Sequence, residues 1–239
     1  MATRTILCIY AHPDDETSAG AALMKMYAAQ GVDIHIVTAT RGELGSLGTN
    51  GVVVKREDLP AVREAEQRAV LRHLGVTNGP TYLGYRDQDV DKADLEEAVG
   101  KVLVVMDRAR PDVVMIHGPT GLSNDPDHIA MHEIASKAFE RYHENEGAKA
   151  RLFYWAVRPE LLAEFDLYID GPEVQPNVII DVANHWQAKV DALRLYNSQA
   201  DAQQLAEFLE NYEEKAEMFY QVVPPLPVGT VLSGFWDEE

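Results

Sequence analysis

The chain has 239 residues, 46% hydrophobic and 25% charged, a balance that suits one large α/β domain with a sizeable core. Its 39 acidic against 21 basic side chains give a net charge of −18, which excludes a surface built for nucleic acid or an anionic membrane. The one cysteine, Cys8, excludes an intramolecular disulfide, and no apolar stretch reaches the ~18 residues that a membrane span needs.

The first residues run straight into a strand with no apolar signal core, so a soluble, cytoplasmic protein is expected. Residues 5–10 form a short continuous apolar run, the pattern of a strand buried on both faces. Residues 16–30 follow with Ala, Leu and Met at helical spacing, closed by Gly31, and residues 33–39 return to strand character. Together they make a βαβ unit with parallel strands. Residues 40–59 carry four glycines and little periodicity, a loop long enough to be functional. Helical spacing resumes over 61–74, a short strand is expected at 81–83, and an amphipathic helix at 95–109 ends before Pro111. A β-branched strand at 113–116 exits into a loop rich in Gly, Pro, Asp and His, followed by a helix over 127–143. Strands at 152–157 and 178–182 flank an irregular segment, and helices are expected at 185–196 and 202–220, before a proline-rich extended end from Val222. The pattern predicts a single α/β domain over residues 1–239, an open, mainly parallel sheet flanked by helices, with a helical and extended tail from about 183.

The run Tyr10-Ala11-His12-Pro13-Asp14-Asp15-Glu16 places one imidazole and three carboxylates at the end of the first strand. Carboxylates are costly to bury unless paired or bound to a cation. Ligands of such sheets bind beyond the carboxyl ends of the strands, so the loops after Tyr10, Ala39 and Ile116 converge on one edge. That convergence brings His12, Asp14, Asp15 and His128 near one another. Two imidazoles and a carboxylate suit Zn²⁺ with one position left open, and His12, Asp15 and His128 are the candidate ligands. Such an ion lowers the pKa of a water molecule to about 7, and Asp14, beside a ligand, is the natural general base. Asp125 or Asp127 reads as a helix N-cap, and Glu16 as an acid favoured by the helix dipole. His132 lies one turn after His128 without the Glu of a His-Glu-x-x-His helix, so it reads as a supporting or solvent-facing residue. Nucleotide binding is set aside because Asp14, Asp15 and Glu16 would repel a pyrophosphate.

Ala11-His12-Pro13-Asp14-Asp15-Glu16 and Asp125-Pro126-Asp127-His128 together resemble the PIG-L/LmbE-like family of zinc-dependent N-acetylglucosamine de-N-acetylases. Thr40-Arg41-Gly42-Glu43-Leu44-Gly45, Arg63-Glu64-Ala65-Glu66, Leu83-Gly84-Tyr85-Arg86-Asp87 and the stretch from Lys189 to Ser198-Gln199 resemble further motifs of the family. The resemblance implies a Rossmann-like fold, zinc on His12, Asp15 and His128, Asp14 as the base, and Arg63 as a substrate-binding residue. It implies a zinc-dependent N-deacetylase acting on a small amino sugar or N-acetylglucosaminyl conjugate, and a homo-oligomer. Where the family usually reads His-Pro-Asp-His, this chain has Asp125, so Asp125 occupies the position that serves the oxyanion or the departing amine, with His117 and His132 as substitutes. Tyr196 stands where the family often has His. These departures support a second reading, a metal-bearing carbohydrate-binding or regulatory protein of the same fold with reduced catalysis.

Overall fold

The computed structural model describes residues 3–146 and 149–236. Seven strands form one sheet in the order β3-β2-β1-β4-β5-β7-β6. β1 (Thr5–Tyr10) lies near the centre, paired in parallel with β2 (Asp33–Thr38) on one side and β4 (Val113–Ile116) on the other. β3 (Asn78–Tyr82) and β5 (Arg151–Ala156) extend the parallel part outward. The strand order reverses between β1 and β4, the place where open α/β sheets leave a crevice.

β1 has no exposed residue, because alternate side chains serve two apolar cores. Ile6, Cys8 and Tyr10 join α1 (Asp15–Ala29), α2 (Leu59–Leu74), α6 (Trp186–Leu195) and α7 (Ala200–Glu210) on one face. Leu7 and Ile9 join α3 (Leu95–Ala109) and α4 (Pro126–Glu146) on the other. Burial pushes the Cys8 thiol far above its ordinary range, the behaviour of a core thiol. No helix among the described residues is long and apolar enough to cross a membrane.

The carboxyl-terminal quarter departs from expectation. The helix expected over 202–220 stops at Glu210, and β7 (Ala216–Val223) runs antiparallel between β5 and β6 (Val178–Asp181). Met218 and Phe219 are both buried in β7, so a run covered on both faces lacks the alternation that marks a half-exposed strand. Residues 186–223 therefore complete the sheet and its helix layer, and Phe235 returns into the core. The expected irregular stretch after β5 also contains a short helix, α5 (Pro159–Ala163). Residues 1–2, 147–148 and 237–239, which the single-domain expectation covers, lie outside the described residues.

Candidate metal centre

His12, Asp14 and Asp15 follow β1, and His128 opens α4 after the β4 loop, so the topology alone carries them to the crevice. His12 Nδ1 and His128 Nε2 stand 3.1 Å apart, and His128 Nε2 is 3.3 Å from Asp15 Oδ1. His12 Nδ1 is 3.8 Å from Asp15 Oδ2. The three expected ligands thus form one cluster of nitrogen and oxygen donors.

Each imidazole is oriented from behind. His128 Nδ1 is 3.0 Å from the Gly121 carbonyl, an atom that can only accept, so Nε2 keeps its lone pair toward the cluster. His12 Nε2 is 3.2 Å from Asp127 Oδ2 and 3.3 Å from Asp87 Oδ1, which leaves Nδ1 facing inward. Asp15 Oδ2 accepts from the His12 and Ala11 amides at 2.8 and 3.1 Å, which frees Oδ1 for the cluster. The donor set and its outer supports fit a small borderline cation such as zinc.

The surrounding carboxylates set the charge of the cluster. Burial works against a charged His12 ring, but Asp127, Asp87 and Asp15 carry its pKa well above the usual range. Burial opposes the Asp15 carboxylate, yet His128 and His117 hold its pKa well below the usual range. Three carboxylates, Asp15, Asp87 and Asp127, thus draw a positive charge to this buried place, a charge that a cation would supply in exchange for the His12 proton.

Asp14 has φ +103°, in the left-handed region that a non-glycine residue rarely occupies. Its amide donates to Glu16 Oε2 at 3.2 Å, and Arg63 Nη2 donates to its Oδ2 at 2.6 Å and also to the Pro13 carbonyl. Arg63 Nη1 reaches the Gly42 carbonyl at 3.2 Å, and a Cβ on Gly42 would collide with the guanidinium. Burial raises the Asp14 carboxyl well above its usual range, with Arg63 pulling it back. Arg63, expected at the substrate, lines the cavity while its hydrogen bonds run to Pro13, Asp14 and the Gly42 carbonyl.

Asp125 lines the same cavity, and its Oδ1 accepts from the amides of Asp127 at 2.8 Å and His128 at 3.4 Å, so it caps α4. Asp127 is not the cap. Its oxygens accept from the Gln88 and Val90 amides at 2.7 and 3.1 Å as well as facing His12. His117 and His132 do not line the cavity. His132 Nδ1 sits 3.0 Å from the His117 carbonyl, and His117 lies behind the donor cluster, its ring stacked on His128 at 4.1 Å and its Nε2 3.3 Å from Asp15 Oδ2.

Sequence reasoning missed Asp87 and Asp127 as supports of His12, and His117 as the residue beneath Asp15 and His128. The available signal was position: Asp87 leaves β3 and His117 leaves β4 on the edge where β1 ends. Glu16, expected at a helix start, is fully buried and accepts from Tyr196 at 2.5 Å, Thr17 at 2.8 Å and Gln67 at 2.9 Å. Tyr196 in place of the expected His therefore serves Glu16. Glu66 holds Ser198 through its amide and hydroxyl at 2.8 and 2.6 Å, which ties α2 to the start of α7.

The sequence profile of the PIG-L family, GlcNAc-PI de-N-acetylase, matches residues 7–139. A 1D-myo-inositol 2-acetamido-2-deoxy-alpha-D-glucopyranoside deacetylase of Mycobacteroides abscessus is 32% identical over 234 residues, covering 83% of this chain and 82% of the relative. The N,N'-diacetylchitobiose deacetylase of Pyrococcus horikoshii superposes with a TM-score of 0.69 over 91% of this chain and 83% of its own, at 20% identity. A 4-carboxy-2-hydroxymuconate hydratase of Pseudomonas putida does so at 0.70 over 94% and 98%, at 17% identity. At these identities the structural likeness carries the fold alone, and a deacetylase and a hydratase share it.

Proposed function

The chain belongs to the PIG-L (GlcNAc-PI de-N-acetylase) family, and from that premise we propose that it is a zinc-dependent deacylase removing the N-acetyl, or a similar N-acyl, group of an amino sugar or N-acetylglucosaminyl conjugate. The observation that carries the reading is the inward-facing donor set of His12 Nδ1, Asp15 Oδ1 and His128 Nε2, with Asp14 in the same cavity.

Zinc held by His12, Asp15 and His128 would supply Lewis acidity at the amide oxygen and lower the pKa of a water molecule. Asp14 takes the proton of the attacking water. Arg63 holds its Oδ2, which leaves Oδ1 for that transfer, and burial makes the carboxylate more ready to accept. The carbon–nitrogen bond then breaks, the acetyl group departs as acetate, and the amine leaves with a proton. We assign that proton to Asp14, which has just gained one, with Asp125 as the second carboxyl on the cavity wall. Arg63 keeps the strained Asp14 in one position throughout.

Purified protein is expected to hold about one zinc per chain and to deacetylate members of an N-acetylglucosaminide panel. Asp14→Asn should lower kcat by about 10²–10⁴-fold with the zinc content unchanged. Wild-type turnover in that variant would sink the role of Asp14. Asp125→Asn with kcat unchanged would leave the proton transfer to Asp14 alone.

A further inference from the structure

The cavity beside the donor cluster, about 530 Å³, is lined unevenly. Its walls on the β1 to β4 side include Asp14, Arg63, Asp87, Gln88 and Asp125. Beyond β4, on the β5 flank, they are Trp155, Leu161, Leu162, Phe165 and Leu167, while α7 adds Leu205 together with the polar Asp201 and Gln204. Leu162 belongs to a small apolar cluster with Leu122 and Val157, separate from the two cores that flank the sheet. Trp155, Leu161 and Leu167 pack against that cluster and stay partly exposed.

Hydroxyls set against Leu161, Leu162, Phe165 and Leu167 would find no partner on those side chains, which costs free energy for each group desolvated. A pyranose can stack on one aromatic face such as Trp155. It has no use for the leucines and the phenylalanine beyond. The lining also carries five carboxylates, Asp14, Asp15, Asp87, Asp125 and Asp201, against the guanidinium of Arg63 and the imidazoles of His12 and His128, which are neutral when they hold a cation. Even a bound divalent cation leaves that balance negative, so a phosphate or carboxylate on the substrate is repelled.

Building on the deacylase reading, we propose that the substrate carries an uncharged hydrocarbon arm, on its acyl group or its aglycone, seated against Trp155, Leu161, Leu162, Phe165 and Leu167. The arm is continuous with the sugar in one cavity. Its length sets the preference among amino-sugar amides.

Two substrate series test this with the zinc-loaded enzyme: methyl, butyl and octyl N-acetylglucosaminides, and N-acetyl, N-butanoyl and N-octanoyl glucosamine. In at least one series kcat/KM should rise about threefold to fourfold per methylene until the wall is covered. The series that rises says whether the arm is aglycone or acyl. An octyl chain ending in a carboxylate should be at least tenfold poorer than plain octyl. Leu161→Ser and Phe165→Ala should each lower the octyl-to-shortest ratio in the rising series by about tenfold; two variants guard against one failing to fold. Calorimetry with octyl 2-amino-2-deoxyglucoside, which has no amide to cleave, should show binding with a negative heat-capacity change. If nothing is hydrolysed yet that amine binds so and Leu161→Ser weakens it, the deacylase reading fails and the apolar arm stands. Flat kcat/KM across both series, with ratios unchanged in the variants, overturns the arm while the deacylase reading stands. Equal turnover of the carboxylate-ended chain overturns its neutrality.

Discussion

His117 leaves β4 with its ring buried, stacked on His128 and 3.3 Å from Asp15 Oδ2. Burial, helped by the neighbouring His128 charge, pushes its pKa down to about 4, so the fold holds a neutral imidazole. The unfolded chain takes a proton near the ordinary value of about 6.5, whereas the folded chain resists until far lower pH. Stability from this group is therefore present above about pH 6.5 and is lost as pH falls toward 4, at about 1.4 kcal/mol per pH unit. In metal-free protein, His117→Gln should flatten the fall in urea midpoint between pH 6.5 and 4.5. A variant whose midpoints keep the wild-type slope would show that His117 is not the group responsible. Glu16 illustrates the same limit of local reading. An acid in the first turn of a helix is ordinary, and only its four hydrogen-bond donors show why this one is tolerated at full burial.

α1 is not a continuous helix. At Gly20 the backbone leaves helical values (φ −162°, ψ 34°), and the ladder opens between Ser18 and Ala22. Lys189 from α6 donates to the Ser18 carbonyl at 2.7 Å, and Glu217 from β7 accepts from the Ala22 and Leu23 amides at 3.2 and 2.7 Å. Lys189 and Glu217 also pair with each other at 2.8 Å, almost fully buried. A buried ion pair thus stands in for a broken helical hydrogen bond, and it supports the turn that carries Asp15 and Ser18 into the cavity. Glu217→Ala strands Lys189 and two amides at once, so chemical denaturation should show a loss of about 3–5 kcal/mol. A loss below 1 kcal/mol would mean that water or a neighbour replaces the carboxylate. Sequence reading placed a helix over 16–30 and gave no sign of the kink, because the groups that complete it lie in α6 and β7.

At the scale of the molecule, β7 is the piece that makes the sheet whole. It pairs antiparallel with β5 and with β6, and β6 has no other neighbour among the named strands. A chain ending at residue 210 would expose the β5 edge and leave β6 without its partner, so it should lack a cooperative melt and precipitate. A soluble truncated protein that still melts cooperatively would refute this account of the sheet. The sequence by itself determined the βαβ opening, the parallel sheet as far as β5, and the three proposed ligands, because apolar periodicity and donor chemistry are properties of short stretches. The order of strands then brought the loops after β1 and β4 together by connectivity alone. Only the tertiary structure decided that Asp127 rather than Asp125 supports His12, from 115 positions along the chain, and that Asp125 caps α4. It alone showed that Tyr196 serves Glu16 and that a strand stands where a helix was expected. The physical reason is common to all of these: a buried polar group is satisfied by whatever the fold brings near, and no local pattern records its partner.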